Sequence, residues 1–310
     1  MSSTGTTQGK IAGAPVCVAP TGDVCGEGAV WHAAHKAVYW NDINRFLIHR
    51  FTPADSVVRS WFFDEPVTAL TLTDRPETLA VVLASSVILW DPETDKRHPA
   101  IFQLEGWPKV RLNDARTDRR GALWIGSMRN NVNPDGSLGE AGGTDGVVIC
   151  LKPDRTFKVW RRDLAISNTF AWSPDDTRFY FGDTLINTIW VSESDPATGA
   201  ISNDKPFLKD FARGIPDGST VDSEGYLWNC RFAGGCIVRV APDGLIDQIV
   251  EMPVQNVTTC TFGGADRKTL YVTTASVASP KGDRLAGSLY AIPTEVAGQH
   301  ETQFRVFGAK

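Results

Sequence analysis

Several features that would point to a function at once are missing from this chain of 310 residues. No apolar run approaches the ~18 residues that a membrane-crossing helix needs, which excludes that class. No stripe of the sequence is densely basic, and the net charge is −5. Nucleic acid and anionic membranes are therefore poor partners. None of the six cysteines (Cys17, Cys25, Cys150, Cys230, Cys236, Cys260) forms a C-x-x-C pair. Most lie among apolar strand residues, where a free thiol packs as a small hydrophobe. Reduced thiols are expected, with Cys17 and Cys25 as the one pair to test. The start, Met1 to Lys10, lacks the charged and apolar regions of a signal peptide. Residues 1–13 read as a disordered tail before a single domain over 14–310, and a cytoplasmic location is expected.

What is present is a repeat. Ser167 to Trp172 reads as a strand, Ser173-Pro174-Asp175-Asp176 as a turn, and Arg178 to Asp183 as the returning strand. The same grammar recurs from Glu27, Thr68, Asn113, Asp217 and Thr258. A third strand follows each pair, and usually a more polar fourth. The six starts are spaced by 41, 45, 55, 49 and 41 residues. A four-stranded unit repeating every ~40–50 residues is the signature of a propeller blade. The chain is thus predicted to be all-β, a six-bladed β-propeller with four antiparallel strands per blade. A strand over residues 14–20 is expected to close the ring beside Gln303 to Phe307 in the last blade.

The first strand of a blade lines the central channel, so Glu27, Thr68, Asn113, Asn168, Asp217 and Thr258 should ring one of its mouths. Six oxygen-bearing side chains at one level are hard to explain by packing alone. Glu27, Asn168 and Asp217 supply two carboxylates and an amide oxygen, a donor set suited to Ca²⁺, Mg²⁺ or Mn²⁺. No histidine of the five falls at a ring position. Three protein ligands leave room for water and substrate, as in catalytic metal sites. Asp217 can then serve as ligand and general base together. Arg111 and Asn113 share a side of their strand by period-two alternation and are placed to orient substrate hydroxyls. The Gly- and Asn-rich stretch 129–146 is too long for a hairpin turn and reads as a rim loop, from which Arg129 and Asn131 should reach the site. The chemistry this predicts is metal-assisted hydrolysis of a small ester-like compound.

Several motifs carry a resemblance. Gly-Glu-Gly-Ala-Val-Trp (26–31), Arg-Leu-Asn-Asp (111–114), Ser-Asn-x-x-Ala-Trp-Ser-Pro-Asp (167–175) and Pro-Asp-Gly-x-x-Val-Asp-x-Glu-Gly-x-Leu-Trp (216–228) occur in order. With Gly-Ala-Leu-Trp-Ile-Gly-Ser-Met (121–128) and Cys-Thr-Phe-Gly-Gly (260–264), they resemble the senescence marker protein, gluconolactonase and luciferin-regenerating enzyme family. Cys17 to Cys25 resembles the regucalcin-type members. The resemblance implies one divalent cation near the channel mouth, Ca²⁺ foremost, with Zn²⁺, Mn²⁺, Mg²⁺ or Fe²⁺ as alternatives. It implies Glu27, Asn168 and Asp217 as ligands, and Arg111 and Asn113 as substrate-binding groups. The implied reaction is hydrolysis of a sugar lactone by a monomer or weak homodimer. Two departures bear on substrate: Thr169 stands where the family usually has Gly, and Asn131 stands for an acidic loop residue. The rival expectations are an arylesterase or organophosphatase on the same scaffold, and a non-enzymatic calcium-binding propeller.

Overall fold

A computed structural model describes residues 10–306. Those residues contain no helix and form six sheets. Each sheet begins with an inner strand: Gly26–His32, Val67–Thr73, Val110–Thr117, Ser167–Trp172, Ile215–Val221 and Val257–Gly263. Successive strands pair antiparallel outward from it. Burial falls along the same direction. In blade 1 the strand Ala37–Asp42 is wholly buried, whereas the outermost, Val57–Phe62, is exposed except at Trp61. Apolar faces are covered blade against blade, as where Trp124 of blade 3 packs on Phe179 of blade 4, with ring centroids 5.1 Å apart.

Local sequence explains the hairpins that aim the inner strands. In blades 3 and 5 the pattern Asp-x-x-Gly-x-Leu-Trp makes the turn and clasps it. Asp118 Oδ1 accepts from the backbone N–H groups of Arg120 and Ala122, and its Oδ2 accepts from Trp124 Nε1 at 3.0 Å. Asp222 repeats the arrangement with Glu224, Tyr226 and Trp228. An aspartate that satisfies two turn donors and an indole fixes where the second strand begins.

The ring closes through the N-terminus, but not with the predicted neighbour. Val16–Ala19 is the outer strand of blade 6 and pairs with Leu289–Pro293. Gln303–Phe304 instead joins blade 2, parallel to Leu72 and Thr73. The reason is the path of residues 297–306 beneath the channel. Ser223 N donates to Ala297 O, Gln299 Nε2 to Trp172 O, and Thr302 Oγ1 to Thr117 O. The segment therefore crosses blades 5, 4 and 3 before reaching blade 2. The expectation of a tail over 1–13 also needs correction at its end. Ala12 N donates to Pro293 O at 2.7 Å, and Lys10 O accepts from Glu295 N at 2.8 Å. Residues 1–9 of that expectation lie outside the described residues.

Candidate active site at the channel mouth

Every inner strand carries a register break at the same level. The breaks fall between Glu27 and Val30, Val67 and Ala69, Leu112 and Ala115, Asn168 and Ala171, Pro216 and Ser219, and Val257 and Cys260. A bulge sets two residues against one and re-aims the side chains around it. The six positions read from the repeat all sit at or beside these bulges. Gly28 shows why a glycine is needed there. Its φ is +61°, and a Cβ would lie 2.2 Å from Asn41 Oδ1. Blade 4 makes the same bend with a β-branched residue, Thr169, at φ +59°.

Four of the six positions converge. Glu27, Asn113, Asn168 and Asp217 line one cavity of about 360 Å³, together with Arg111 and Asn131. Asn168 Nδ2 donates to Asp217 Oδ1 at 2.8 Å, and Asn113 Nδ2 donates to Asn168 Oδ1 at 3.0 Å. The chain entering these strands is held from behind. Asp42 accepts from the N–H groups of Val24 and Cys25 ahead of Glu27, and Asp183 accepts from those of Ala165 and Ile166 ahead of Asn168. Thr169 Oγ1 donates to the backbone carbonyl of Asp217 and meets Ser219 Oγ at 3.0 Å. The strained residue thus ties blade 4 to the backbone of Asp217.

Thr68 and Thr258 do not face the cavity. Thr68 Oγ1 donates to Val82 O, and Thr258 Oγ1 donates to Gly26 O. Arg129 also falls outside, contrary to expectation. Its Nε and Nη2 both bond Asp145 Oδ2, at 3.0 and 2.8 Å, which ties together the two ends of its own loop. Asn131 takes part instead, its Oδ1 accepting from Arg111 Nε at 3.1 Å and Nη2 at 2.9 Å. Arg111 Nη1 bonds Leu112 O and Asn113 Oδ1 at 3.0 and 2.7 Å. Four of the five guanidinium N–H groups are thereby engaged within the protein. The guanidinium chiefly sets the two neighbouring amides.

The electrostatics of the floor are one-sided. No Lys, Arg or His forms an ion pair with Glu27, Asp114 or Asp217 among the described residues. Burial raises Glu27 well above the usual carboxylate range, and the neighbouring Asp217 charge adds to it. Asp217 is raised too, first by burial and then by the charge of Asp114. Burial moves Asp114 to about 6 against the opposing charge of Arg116. Arg111 is pushed down to about 10 by burial, against the opposing charges of Cys25 and Glu27.

An oxygen-only set whose buried carboxylates make no ion pair fits a hard cation, and the Asn168 carbonyl oxygen keeps a lone pair beyond the one Asn113 uses. No group of three or more His, Cys, Asp or Glu side chains is placed to hold a metal among the described residues. The candidate set therefore depends on the amide beside two carboxylates. Sequence reasoning missed Asp114, Cys25 and Thr184. Asp114 and Cys25 adjoin residues already singled out, so proximity to a bulge was the signal available. All six cysteines are free, and Cys17 and Cys25 do not pair.

Comparison with known proteins adds a family to this geometry. The profile described as SMP-30/Gluconolactonase/LRE-like region matches residues 25–276. L-arabinolactonase of Azospirillum brasilense is 31% identical over 94% of this chain and 96% of its own length. Regucalcin of Oryctolagus cuniculus is 32% identical over 84% and 86% of the respective chains. Among solved structures, a calcium-binding protein, regucalcin from Agrobacterium tumefaciens, superposes with a TM-score of 0.87. It is 26% identical, and the match covers 96% of this chain and 98% of that one.

Proposed function

The chain belongs to the SMP-30/gluconolactonase/LRE-like family, and from that premise we propose that it is a carboxylic-ester hydrolase acting on sugar lactones with the help of a divalent cation. The observation that carries this reading is the meeting of Glu27, Asn168 and Asp217 in one cavity, with two buried carboxylates that make no ion pair with a cationic side chain among the described residues. These three residues would hold the cation. When bound, it supplies Lewis-acid polarisation of the lactone carbonyl and a lower pKa for water at the site.

Asp217 then acts as general base. It takes a proton from the water whose oxygen adds to the carbonyl carbon. The bond from that carbon to the ring oxygen breaks, and Asp217 returns the proton to the ring oxygen, leaving a hydroxy acid. Thr169 and Asn168 hold Asp217 from its backbone and its side chain respectively. Arg111 sets Asn113 and Asn131, and offers its one remaining N–H to a substrate oxygen. Ca²⁺ is the favoured ion because every donor is a hard oxygen.

Acid release from a panel of aldono-lactones at fixed pH tests the reading, with the ion removed by chelator and single metals added back. Turnover that needs the ion supports it. Turnover indifferent to chelator removes the cation, and no turnover of any lactone removes the activity. An esterase for less polar esters is the second reading, favoured by the apolar residues in the cavity wall. Phenyl acetate and a phosphotriester beside the lactones separate the two.

A further inference from the structure

The cavity changes character between floor and wall. Its only charged lining groups are Glu27, Arg111 and Asp217, all on the floor. The rest of the lining includes the apolar residues Met128, Val132, Leu138, Leu185, Phe232 and Val277, of which Leu138 and Leu185 stand at the exposed side. Leu138 and Leu185 are 46% and 44% exposed, an arrangement that costs free energy unless something apolar covers them. The loop carrying Leu138 is held in place, since Val132 packs with Ile43 and Phe46, and Asn44 Nδ2 donates to Gly136 O at 2.8 Å.

The polar groups beside the wall are partly engaged. Asn44 is tied to Gly136, Asn131 Oδ1 accepts twice from Arg111, and Thr184 Oγ1 accepts from Asn168. A hydroxyl group set against Leu138, Leu185 or Phe232 would meet a side chain with no polar atom to replace water. Burying such groups unpaired is unfavourable. An apolar group there displaces water from Leu138, Leu185 and Phe232 instead. A volume of about 360 Å³ lies within the small-ligand range and leaves space beside a lactone ring.

We propose that this site selects sugar lactones whose end remote from the carbonyl is apolar, either deoxygenated or alkyl-substituted. The proposal rests on the lactonase reading. The oxygen-bearing ring meets the floor, and the apolar end lies against Leu138, Leu185 and Phe232. Specificity arises because the wall discriminates by contact while the floor performs the same chemistry on every lactone.

Matched substrates test it in the full chain supplied with Ca²⁺. These are L-mannono-1,4-lactone, its 6-deoxy counterpart, and the 6-O-propyl and 6-O-hexyl ethers. The 6-deoxy compound should exceed its parent in kcat/KM by about tenfold. Between the two ethers kcat/KM should rise about threefold to fourfold per methylene until the wall is filled. Leu185→Asn, at an exposed position that leaves folding intact, should flatten the ether series, and Leu138→Asn should do the same. Equal or higher kcat/KM for the parent sugar lactone, or a slope that survives both substitutions, overturns the proposal while leaving the lactonase reading standing. Hydrolysis of none of the four, nor of any other aldono-lactone, removes the lactonase reading and this proposal with it.

Discussion

Blades 1, 3, 4 and 5 differ from blades 2 and 6 at one structural level, and the difference is chemical. All six inner strands bulge at the same place, so the fold offers six equivalent positions at the mouth. Four hold Glu27, Asn113, Asn168 and Asp217, which reach into a common cavity. The other two hold Thr68 and Thr258, whose hydroxyls turn to the carbonyls of Val82 and Gly26. A threonine hydroxyl is too short to reach the centre and satisfies a buried carbonyl instead. Pseudo-symmetry thus supplies the place, and side-chain length and charge decide which blades use it.

The largest expected effect tests that division directly. Asp217→Asn keeps the shape and removes the proposed base, and should lower kcat by about 10²–10⁴-fold with the fold intact by circular dichroism. Thr68→Val, at the equivalent position of blade 2, should change kcat by less than about twofold, since the side chain touches nothing that reacts. Comparable losses from the two substitutions would erase the distinction between the blades.

Next in size, chelation should lower both activity and Tm, because an ion bound only by the folded state stabilises it. Glu27→Gln should shrink that Tm difference, and an unaltered difference would show the ion to lie elsewhere. Thr258→Val should then cost about 1–2 kcal/mol in urea unfolding, since it strips a buried donor from Gly26 O beside Glu27. Thr169→Val should cost about 1–3 kcal/mol and reduce kcat, because it keeps the strained φ while losing the hydroxyl's contacts with Asp217 O, Ser219 and Asn229. Thr169→Ser should retain most of the activity.

The last effect concerns pH. Asp114 is raised to about 6 in the folded chain, from an unfolded value of about 3.9. The native state then binds more protons than the unfolded state within that window, so stability falls as pH rises from about 4 to about 6. Asp114→Asn should flatten this slope in chelator-treated protein, as read from urea midpoints. An unchanged slope would assign the pH dependence to Glu27 and Asp217 alone.

The places where expectation and structure part share one cause. Alternation along Val110–Thr117 sets Arg111 and Asn113 on one side, and their 2.7 Å bond agrees with that. The bulge between Leu112 and Ala115 then breaks the alternation and leaves Asp114 buried where it accepts from the backbone of Thr169 and Phe170 and its charge acts on Asp217, which period two does not predict. Arg129 sits two residues from Asn131 and was expected to accompany it. Asp145, 16 positions further along and close only because the loop folds back, takes its guanidinium. Gln303–Phe304 had the composition of a strand for blade 6, yet the course of residues 297–306 beneath the channel carries it to blade 2.

Periodicity along the chain determined the number of blades, their order and the six residues at the mouth, because each blade's hydrogen bonds join segments close in sequence. Which side chains meet was decided only when the blades closed into a ring. Asn113, Asn168 and Asp217 come from three different sheets, and contact between sheets depends on bulges and loop paths that a local pattern does not encode.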